Sequence, residues 1–502
     1  MKQEDNLSEI YLNLLKNQDR NLADFRILAM TSNSLIYPSK ISPETTNNFS
    51  FLNSKYPRVK TAENLGVWFF CMPIRLLYEF LRNGISRLVL PRYYENVSKE
   101  RNVVNLTHLS QNSNTEESTF CKAIESVSGI ESVLRVFLSN SKIIDRLKLI
   151  KTHRNRLILR QDSNFQSLVK ISFENVRAST YLARKSLFTR GLPPEYRMYL
   201  SKAASIQMKR YSFSNLILLN EIAEIINLNS ARIILIPYEG HSNEVTLIHK
   251  LPQVTECQKV IAYQHAPIVR SQIAFFSGLA NLGVRNYLWV TGEAIATIVR
   301  TNTGFSPKNI GVIGSDKNLA LPLRVQFREQ GQDLRVLGLP EASIDAVNEV
   351  IETMNELIAQ NPEIKLVIRL HPGLSQKNRE IATEKILQSR MNIRISDSSL
   401  VEDLIASNFS ISRSSASLVQ GMQFKVVPLF VTRLPQNLLS PCDLIQNMSV
   451  EVQEILRNSQ SLIQSSKIEK LKKESILIEI QQIGISYFSK VDSQSLHSLI
   501  VD

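Results

Sequence analysis

From residue 232 onward, short apolar runs of strand length alternate with longer segments of helical periodicity. The strand-like runs cover residues 232–237, 259–263, 286–290 and 309–313, and a second series covers 334–339, 365–370, 392–395, 409–412 and 426–430. Strands that alternate with helices form parallel sheets, because each helix returns the chain to the end of the sheet where the next strand begins. The pattern therefore predicts an α/β protein with two Rossmann-like sheets.

A chain of 502 residues exceeds what one core usually supports, which favours two domains. We predict an N-terminal Rossmann-like domain over residues 1–315, a polar linker over 316–333, a second Rossmann-like domain over 334–448 and a helical tail over 449–502. The N-terminal part has a weaker pattern. There we predict strands at residues 23–31 and 86–90, a polar loop at 102–118 and helices over 120–149.

The positive charge of the chain is concentrated in one region. The net charge is +13, and residues 141–210 hold 16 lysines and arginines against 4 acidic residues. A solvated helical face, an acidic glycan or an anionic membrane surface would each explain this excess. Nucleic acid is disfavoured, because no binding motif appears and few aromatic residues are interleaved with the charges.

Cysteine spacing and the N-terminus indicate a cytoplasmic protein. The four cysteines, Cys71, Cys121, Cys257 and Cys442, lie too far apart for a metal motif and read as free thiols of a reducing compartment. The first residues are polar and acidic, unlike a signal peptide. The most apolar run, residues 65–81, is interrupted by proline and charges. It does not predict a spanning helix, and it is either a buried amphipathic helix or a peripheral membrane helix.

Two motifs follow strands of the second series. They are Arg369-Leu370-His371-Pro372-Gly373 and Ser412-Arg413-Ser414-Ser415. Small and cationic residues between a strand and a helix bring backbone N–H groups and side-chain donors to one point, where a phosphate can bind. The alternatives are that the arginines are solvated and that the serines cap helices.

A third motif follows the strand at residues 232–237, and a fourth follows the next strand. Tyr238-Glu239-Gly240 leads through His241 to Glu244, and Ala262-Tyr263-Gln264-His265 ends the neighbouring strand. Glu239, beside a flexible glycine, is the predicted proton acceptor, with helix capping as its alternative. Glu244 is predicted either to support the site or only to fix the loop. His265 is either a catalytic residue that balances charge or a structural histidine. His241 and His249 do not have metal-ligand spacing, so we predict no metal.

These motifs resemble those of bacterial sialyl-, polysialyl- and Kdo-type transferases, which have the GT-B fold of two Rossmann-like domains facing a cleft. The resemblance covers about residues 195–430. It implies that His371, Pro372, Gly373, Ser414 and Ser415, flanked by Arg369 and Arg413, hold the phosphate of a CMP-linked sugar. The segment from Tyr238 to Glu244 resembles that of surface-carbohydrate glycosyltransferases. Tyr238 departs from the acidic-acidic-Gly motif of polysialyltransferases at its first acidic position.

The resemblance implies a metal- and cofactor-independent glycosyltransferase of surface-polysaccharide synthesis. Its donor would be a nucleotide-sugar, with a CMP-linked nonulosonic or Kdo-like acid favoured, and its acceptor a glycan or lipid-linked glycan. Glu239 would be the general base. The alternatives are a CDP-polyol phosphotransferase or UDP-sugar enzyme on the same fold, and a non-catalytic scaffold that binds glycan or membrane. No GxGxxG fingerprint or Walker A motif is present, which argues against an NAD enzyme and a P-loop protein.

Overall fold

The computed structural model is a two-sheet α/β protein. It describes residues 73–88, 102–108, 133–138, 157–160, 164–191, 210–268, 273–318, 334–431, 445–457 and 473–492, with some positions inside these ranges left out, and single residues between them. All strand pairs in both sheets are parallel.

The first sheet has seven strands in the order β3-β2-β1-β4-β5-β6-β7. The strands are β1 (Val103–His108), β2 (Val133–Leu138), β3 (Leu157–Ile158), β4 (Ile233–Tyr238), β5 (Lys259–Gln264), β6 (Asn286–Val290) and β7 (Ile310–Val312). The longer helices described in this unit are α1 (Phe165–Phe188), α2 (Arg210–Leu228), α3 (Ser242–Val254), α4 (Ile273–Leu279) and α5 (Glu293–Asn302). Helical residues also lie between 73 and 88.

The second sheet has five strands in the order β10-β9-β8-β11-β12. The strands are β8 (Arg335–Gly338), β9 (Lys365–Ile368), β10 (Ile393–Ile395), β11 (Phe409–Ser412) and β12 (Val427–Phe430). The helices are α6 (Ile344–Gln360), α7 (Gln376–Gln388), α8 (Leu400–Ile405) and α9 (Ala416–Met422), followed by α10 (Val450–Arg457) and α11 (Glu474–Tyr487). The predicted α/β class with two Rossmann-like parallel sheets is confirmed.

Central strands are buried on both faces, which explains their continuous apolar sequences. All six residues of β4 are buried, as are the four residues of β11 and of β12. Helices cover both faces of such a sheet, so successive side chains meet apolar neighbours whichever way they point. The core therefore lies between the sheets and their helices.

The helix α11 contacts both units. It packs against α5 beside the first sheet and α9 beside the second. The Tyr487 hydroxyl accepts a hydrogen bond from the Ile268 N–H at 2.8 Å, and the Ser489 N–H donates to the Thr291 carbonyl at 2.8 Å. A methyl group at Gly292 would collide with the Ser486 carbonyl, so this close approach requires glycine. The end of the chain thus returns to the first unit.

The structure corrects three predictions in the N-terminal part. Residues 103–108, predicted as loop, form β1, and residues 133–138, predicted as helix, form β2. Asn105 and Thr107 are buried in β1 between two neighbouring strands, so a central strand carries the polar composition of a loop. Described residues of the predicted strand 86–90 are helical. The predicted strand at 23–31 lies outside the described residues.

Candidate functional site

Each sheet has one point where the direction of strand progression reverses. In the first sheet this point lies between β1 and β4, and in the second between β8 and β11. Open parallel sheets bind ligands in the crevice outside the carboxyl ends of the strands at this point. Glu239 directly follows β4, and Arg413 directly follows β11. The sequence motifs therefore lie at the two positions where this topology favours a ligand.

Glu239 contacts two imidazole rings. Its Oε1 lies 2.7 Å from His265 Nε2, and its Oε2 lies 3.3 Å from His241 Nε2. His265 directly follows β5, the strand beside β4, so the parallel register brings the two residues to one edge. Gly240 has φ +86°, a left-handed conformation that lets the chain turn between Glu239 and His241. About a quarter of the Glu239 side chain is exposed.

The electrostatic environment keeps the carboxylate of Glu239 ionised. Burial raises its pKa, but the charge and hydrogen bonds of His265 and His241 outweigh burial and hold the pKa well below its usual value. Burial lowers the pKa of His265, although the adjacent carboxylate opposes this. An ionised carboxylate that remains partly exposed can accept a hydrogen bond or a proton from a bound hydroxyl group.

Glu244 supports the turn that carries Glu239. Its Oε2 accepts the Glu239 N–H at 2.7 Å and the His241 N–H at 3.0 Å. The residue is 1% exposed. Burial raises its pKa to about 7, and the negative charge of Glu239 adds to this effect. These contacts agree with the interpretation that Glu244 fixes the loop.

Tyr238, at the position where the sequence departs from the acidic-acidic-Gly motif, lies in the core. It is completely buried, and its hydroxyl donates to the Phe275 carbonyl at 2.8 Å. Its ring packs on Phe275 with centroids 5.0 Å apart. The departure therefore places an aromatic side chain in the packing beneath the site instead of a second carboxylate within it.

Lys317 is a site residue that the sequence motifs did not indicate. Its Nζ donates to the His265 carbonyl at 2.6 Å. Burial lowers its pKa, and the charge of Glu239 opposes the shift. Its own carbonyl accepts from the side-chain amides of Gln420 and Gln423, at 3.3 and 3.2 Å. Lys317 thus joins the Glu239 cluster to α9 of the second unit. Lys317 falls in the segment predicted as a linker. Its position shortly after β7 is the one feature of the sequence that could have indicated a place near the site.

His371, in the second unit, has one ring nitrogen engaged and is exposed. Its Nδ1 accepts the Gly373 N–H at 3.0 Å, and Pro372 and Gly373 are exposed beside it. Partial desolvation lowers the pKa of His371, although Glu341 acts in the opposite direction. A neutral ring whose Nδ1 accepts a hydrogen bond carries its proton on Nε2, which is then a donor for an anionic ligand.

The two predicted donor-site arginines form ion pairs within the second unit. Arg369 donates to Asp403 Oδ2 at 3.1 Å and to the Ser398 carbonyl. Arg413 is 7% exposed, and its guanidinium donates to Glu341 Oε2 at 2.9 Å. A ligand phosphate would therefore share these guanidinium groups with carboxylates that already neutralise them.

The second serine of the predicted pair begins α9. Ser415 is the N-cap of this helix, and its hydroxyl accepts the Ser417 N–H at 3.2 Å. Ser414 lies outside the described residues. The structure therefore brings Glu239, Gly240, Glu244 and His265 together at one edge, and places His371, Pro372, Gly373, Arg413 and Ser415 at the edge of the other sheet. Among the described residues, no group of three or more potential ligands is arranged to hold a metal ion.

No protein-family model matches the chain, and no curated protein matches it. Solved structures match at low similarity. The UDP-GlcNAc 2-epimerase from Neisseria meningitidis bound to UDP-GlcNAc is 9% identical, with 76% of this chain and 97% of that chain covered and a TM-score of 0.41. An Anabaena protein, HepE, in complex with UDP and glucose is 12% identical, with 80% of this chain and 98% of that chain covered and a TM-score of 0.39.

A glycosyltransferase from Rickettsia africae is 12% identical, with 80% of this chain and 97% of that chain covered and a TM-score of 0.37. At such low identities and TM-scores, these matches assign no function to the chain. The sheet topology and the side-chain geometry are what bear on its chemistry.

Proposed function

We propose that this protein is a glycosyltransferase that moves a sugar from a nucleotide-sugar donor to a glycan or a lipid-linked glycan. The observation that carries the proposal is the position of Glu239. It is a partly exposed carboxylate at the reversal point of the first sheet, within hydrogen-bond distance of two imidazoles. The motif after β11, which the sequence predicts to bind phosphate, lies at the corresponding point of the second sheet and supports the proposal.

In the proposed reaction, Glu239 accepts the proton of the acceptor hydroxyl group. The hydroxyl oxygen forms a bond to the anomeric carbon of the donor, and the bond from that carbon to the nucleotide phosphate breaks. The electron pair of the broken bond stays on the phosphate. A positioned general base contributes about 10²–10⁴-fold in rate. Because a carboxylate with a low pKa is a weak base, the proposal includes a neutral imidazole, of His265 or His241, that takes the proton on from Glu239.

The second unit is proposed to hold the donor phosphate. His371 Nε2, Ser414 and Ser415 supply hydrogen-bond donors, and the glycine of Pro372-Gly373 lets backbone approach the ligand. Each charge-assisted hydrogen bond is worth roughly 1.5–3 kcal/mol. Such donors can stabilise a leaving phosphate without a metal ion. We favour a CMP-linked nonulosonic or Kdo-like acid, since its single phosphate matches the small number of donors. The reaction would take place in the cytoplasm at the membrane surface, in surface-polysaccharide synthesis.

Nucleotide release from the purified full chain tests the proposal. CMP-, CDP-, UDP- and GDP-linked donors would be compared with and without a panel of glycan acceptors. We expect turnover of CMP-linked sugars, and turnover of UDP-sugars alone would refute the donor assignment. Failure of every donor both to bind and to turn over would favour the non-catalytic scaffold.

Two variants separate the proposed roles. Glu239→Gln should lower kcat about 10²-fold or more while leaving donor affinity intact. His371→Ala should mainly raise the KM for the donor. Glu293→Gln is the matched control, because Glu293 is an exposed first-turn carboxylate that follows β6, two strands away from β4 in the same sheet. Full activity of Glu239→Gln would contradict the assignment of the base.

A further inference from the structure

Exposed apolar side chains are concentrated on two helical segments of the first unit. Of the twenty large hydrophobic side chains that are exposed among the described residues, twelve lie between residues 73 and 88 or on α1. Soluble proteins rarely expose contiguous apolar surface without an interaction that covers it. This concentration therefore marks a surface with a partner.

The first segment exposes one stripe, here called the aliphatic stripe. It consists of Ile74, Leu77, Leu81, Ile85 and Leu88, which are between 54% and 88% exposed. The spacings of three and four residues place all five on one side of a helix. An apolar stripe of this kind is normally directed into a protein core, and here it is directed away from it.

The outer side of α1 exposes aromatic and basic residues together and is here called the aromatic-basic face. It consists of Phe165, Val169, Lys170, Phe173, Arg177, Tyr181, Arg184 and Phe188. Phe173 and Phe188 are 69% and 75% exposed. The opposite side of α1, including Leu168, Ile171 and Leu182, is buried against the unit.

The charge of α1 has one sign on this face. Its sole acidic residue is Glu174, and the Lys250 ammonium already lies 3.0 Å from that carboxylate. Lys185 lies over the Tyr181 ring at 5.5 Å, so basic and aromatic groups are in contact. The two segments also meet, because the Phe80 and Phe165 rings pack with centroids 5.7 Å apart.

We propose that the aliphatic stripe and the aromatic-basic face bind the surface of a membrane that contains anionic lipids. Helices that lie in the membrane interface combine an inserted apolar side with lysines and arginines that reach the headgroups. Anionic headgroups attract such cations, whose hydrocarbon stems can lie along the acyl boundary. This inference is independent of the proposed transfer reaction.

Other partners fit these side chains less well. A nucleic acid or acidic polysaccharide would use Arg177 and Arg184 but would leave the aliphatic stripe in water. Symmetric pairing with a second copy would place the same cationic face against itself, which like-charge repulsion disfavours. An anionic bilayer satisfies both the apolar and the cationic groups.

Flotation of the full chain with lipid vesicles tests the proposal. We expect binding to vesicles of phosphatidylcholine mixed with phosphatidylglycerol, weaker binding to phosphatidylcholine alone, and a decrease with added salt. Phe173→Ser combined with Phe188→Ser should weaken binding about tenfold or more, as should Leu77→Ser combined with Leu81→Ser. Arg177→Gln combined with Arg184→Gln should weaken binding to anionic vesicles roughly fivefold per charge.

Matched controls come from the second unit. Leu387 is 76% exposed and Lys377 is exposed, both on α7. Leu387→Ser and Lys377→Gln should leave vesicle binding unchanged, and circular dichroism should show every variant folded. Absence of binding to anionic vesicles, or equal binding by face and control variants, would overturn the proposal. Two other results would also overturn it. One is a dimer, seen by light scattering, that the face variants abolish. The other is binding to an acidic polysaccharide, but not to vesicles, that the same variants abolish.

Discussion

The carboxyl group of Glu244 should make the stability of this protein depend on pH. As the pH rises, the unfolded chain loses the Glu244 proton near the ordinary value of 4.5, whereas the folded chain keeps it until about pH 7. Between these values the folded state binds more protons than the unfolded state. The contribution of Glu244 to stability therefore falls as the pH rises through this window, and stays low above it.

The size of this contribution follows from the pKa. Moving a pKa from 4.5 to about 7 corresponds to about 3 kcal/mol, since each tenfold change in the proton equilibrium is worth about 1.4 kcal/mol. The side chain is 1% exposed, so solvent screens this effect little. Glu244→Gln removes the ionisable proton and keeps an oxygen that can accept the two loop N–H groups.

The neighbouring histidines are present in both the wild-type protein and Glu244→Gln. The difference in unfolding free energy between the two proteins therefore reports mainly on the titration of Glu244. It should shift by about 3 kcal/mol in favour of the variant between pH 4.5 and pH 8. Urea unfolding in a Trp68→Phe background would report on the first sheet through Trp289, which is 1% exposed in β6. Glu293→Gln is the control for loss of a first-turn carboxylate. The reasoning would be refuted if this difference in unfolding free energy stayed constant with pH. It would also be refuted if the difference changed in favour of the wild-type protein as the pH rises.

Three further substitutions test a buried ion pair, a glycine conformation and a charge coupling. Asp403→Asn removes a buried charge that two arginines share, and should lower the unfolding free energy by about 3–5 kcal/mol in urea. Gly240→Ala places a methyl group at φ +86° and should cost about 1–2 kcal/mol in thermal unfolding, with Gly283→Ala as a control that costs less. Burial, and then the Lys317 ammonium, lower the pKa of His265, so Lys317→Met should raise it in an NMR titration. An unchanged titration would contradict that coupling.

The strands of the second half were predictable because they are buried on both faces. The predicted strand at 232–237 corresponds to β4 (Ile233–Tyr238), and the predicted strand at 409–412 is β11 (Phe409–Ser412). Continuous apolar runs between helical segments leave few other structures. The strand β1 lacks this signal, because Asn105 and Thr107 occupy buried positions of a central strand.

The strand ends could be predicted, but the partners of their side chains could not. Arg369 and Arg413 were expected near a phosphate because of their neighbours in sequence. Asp403 and Glu341, which bind them, are 34 and 72 residues away, and nothing in the local pattern indicates those distances. The roles of Glu239 and His265 remain predictions, although parallel register places the two side chains in contact.

Lys317 contacts both units. Its side chain donates to the His265 carbonyl, and its backbone carbonyl accepts hydrogen bonds from the side-chain amides of Gln420 on α9 and of Gln423, the C-cap of α9. The helix whose N-cap is Ser415 is thus held to the strand end that positions the imidazole of His265. A movement of α9 on ligand binding would therefore shift the backbone of His265, whose ring is hydrogen-bonded to Glu239. The proposed catalytic groups on one sheet and the proposed ligand groups on the other would need such a connection, because a loose contact between the sheets would lose the alignment that proton transfer requires.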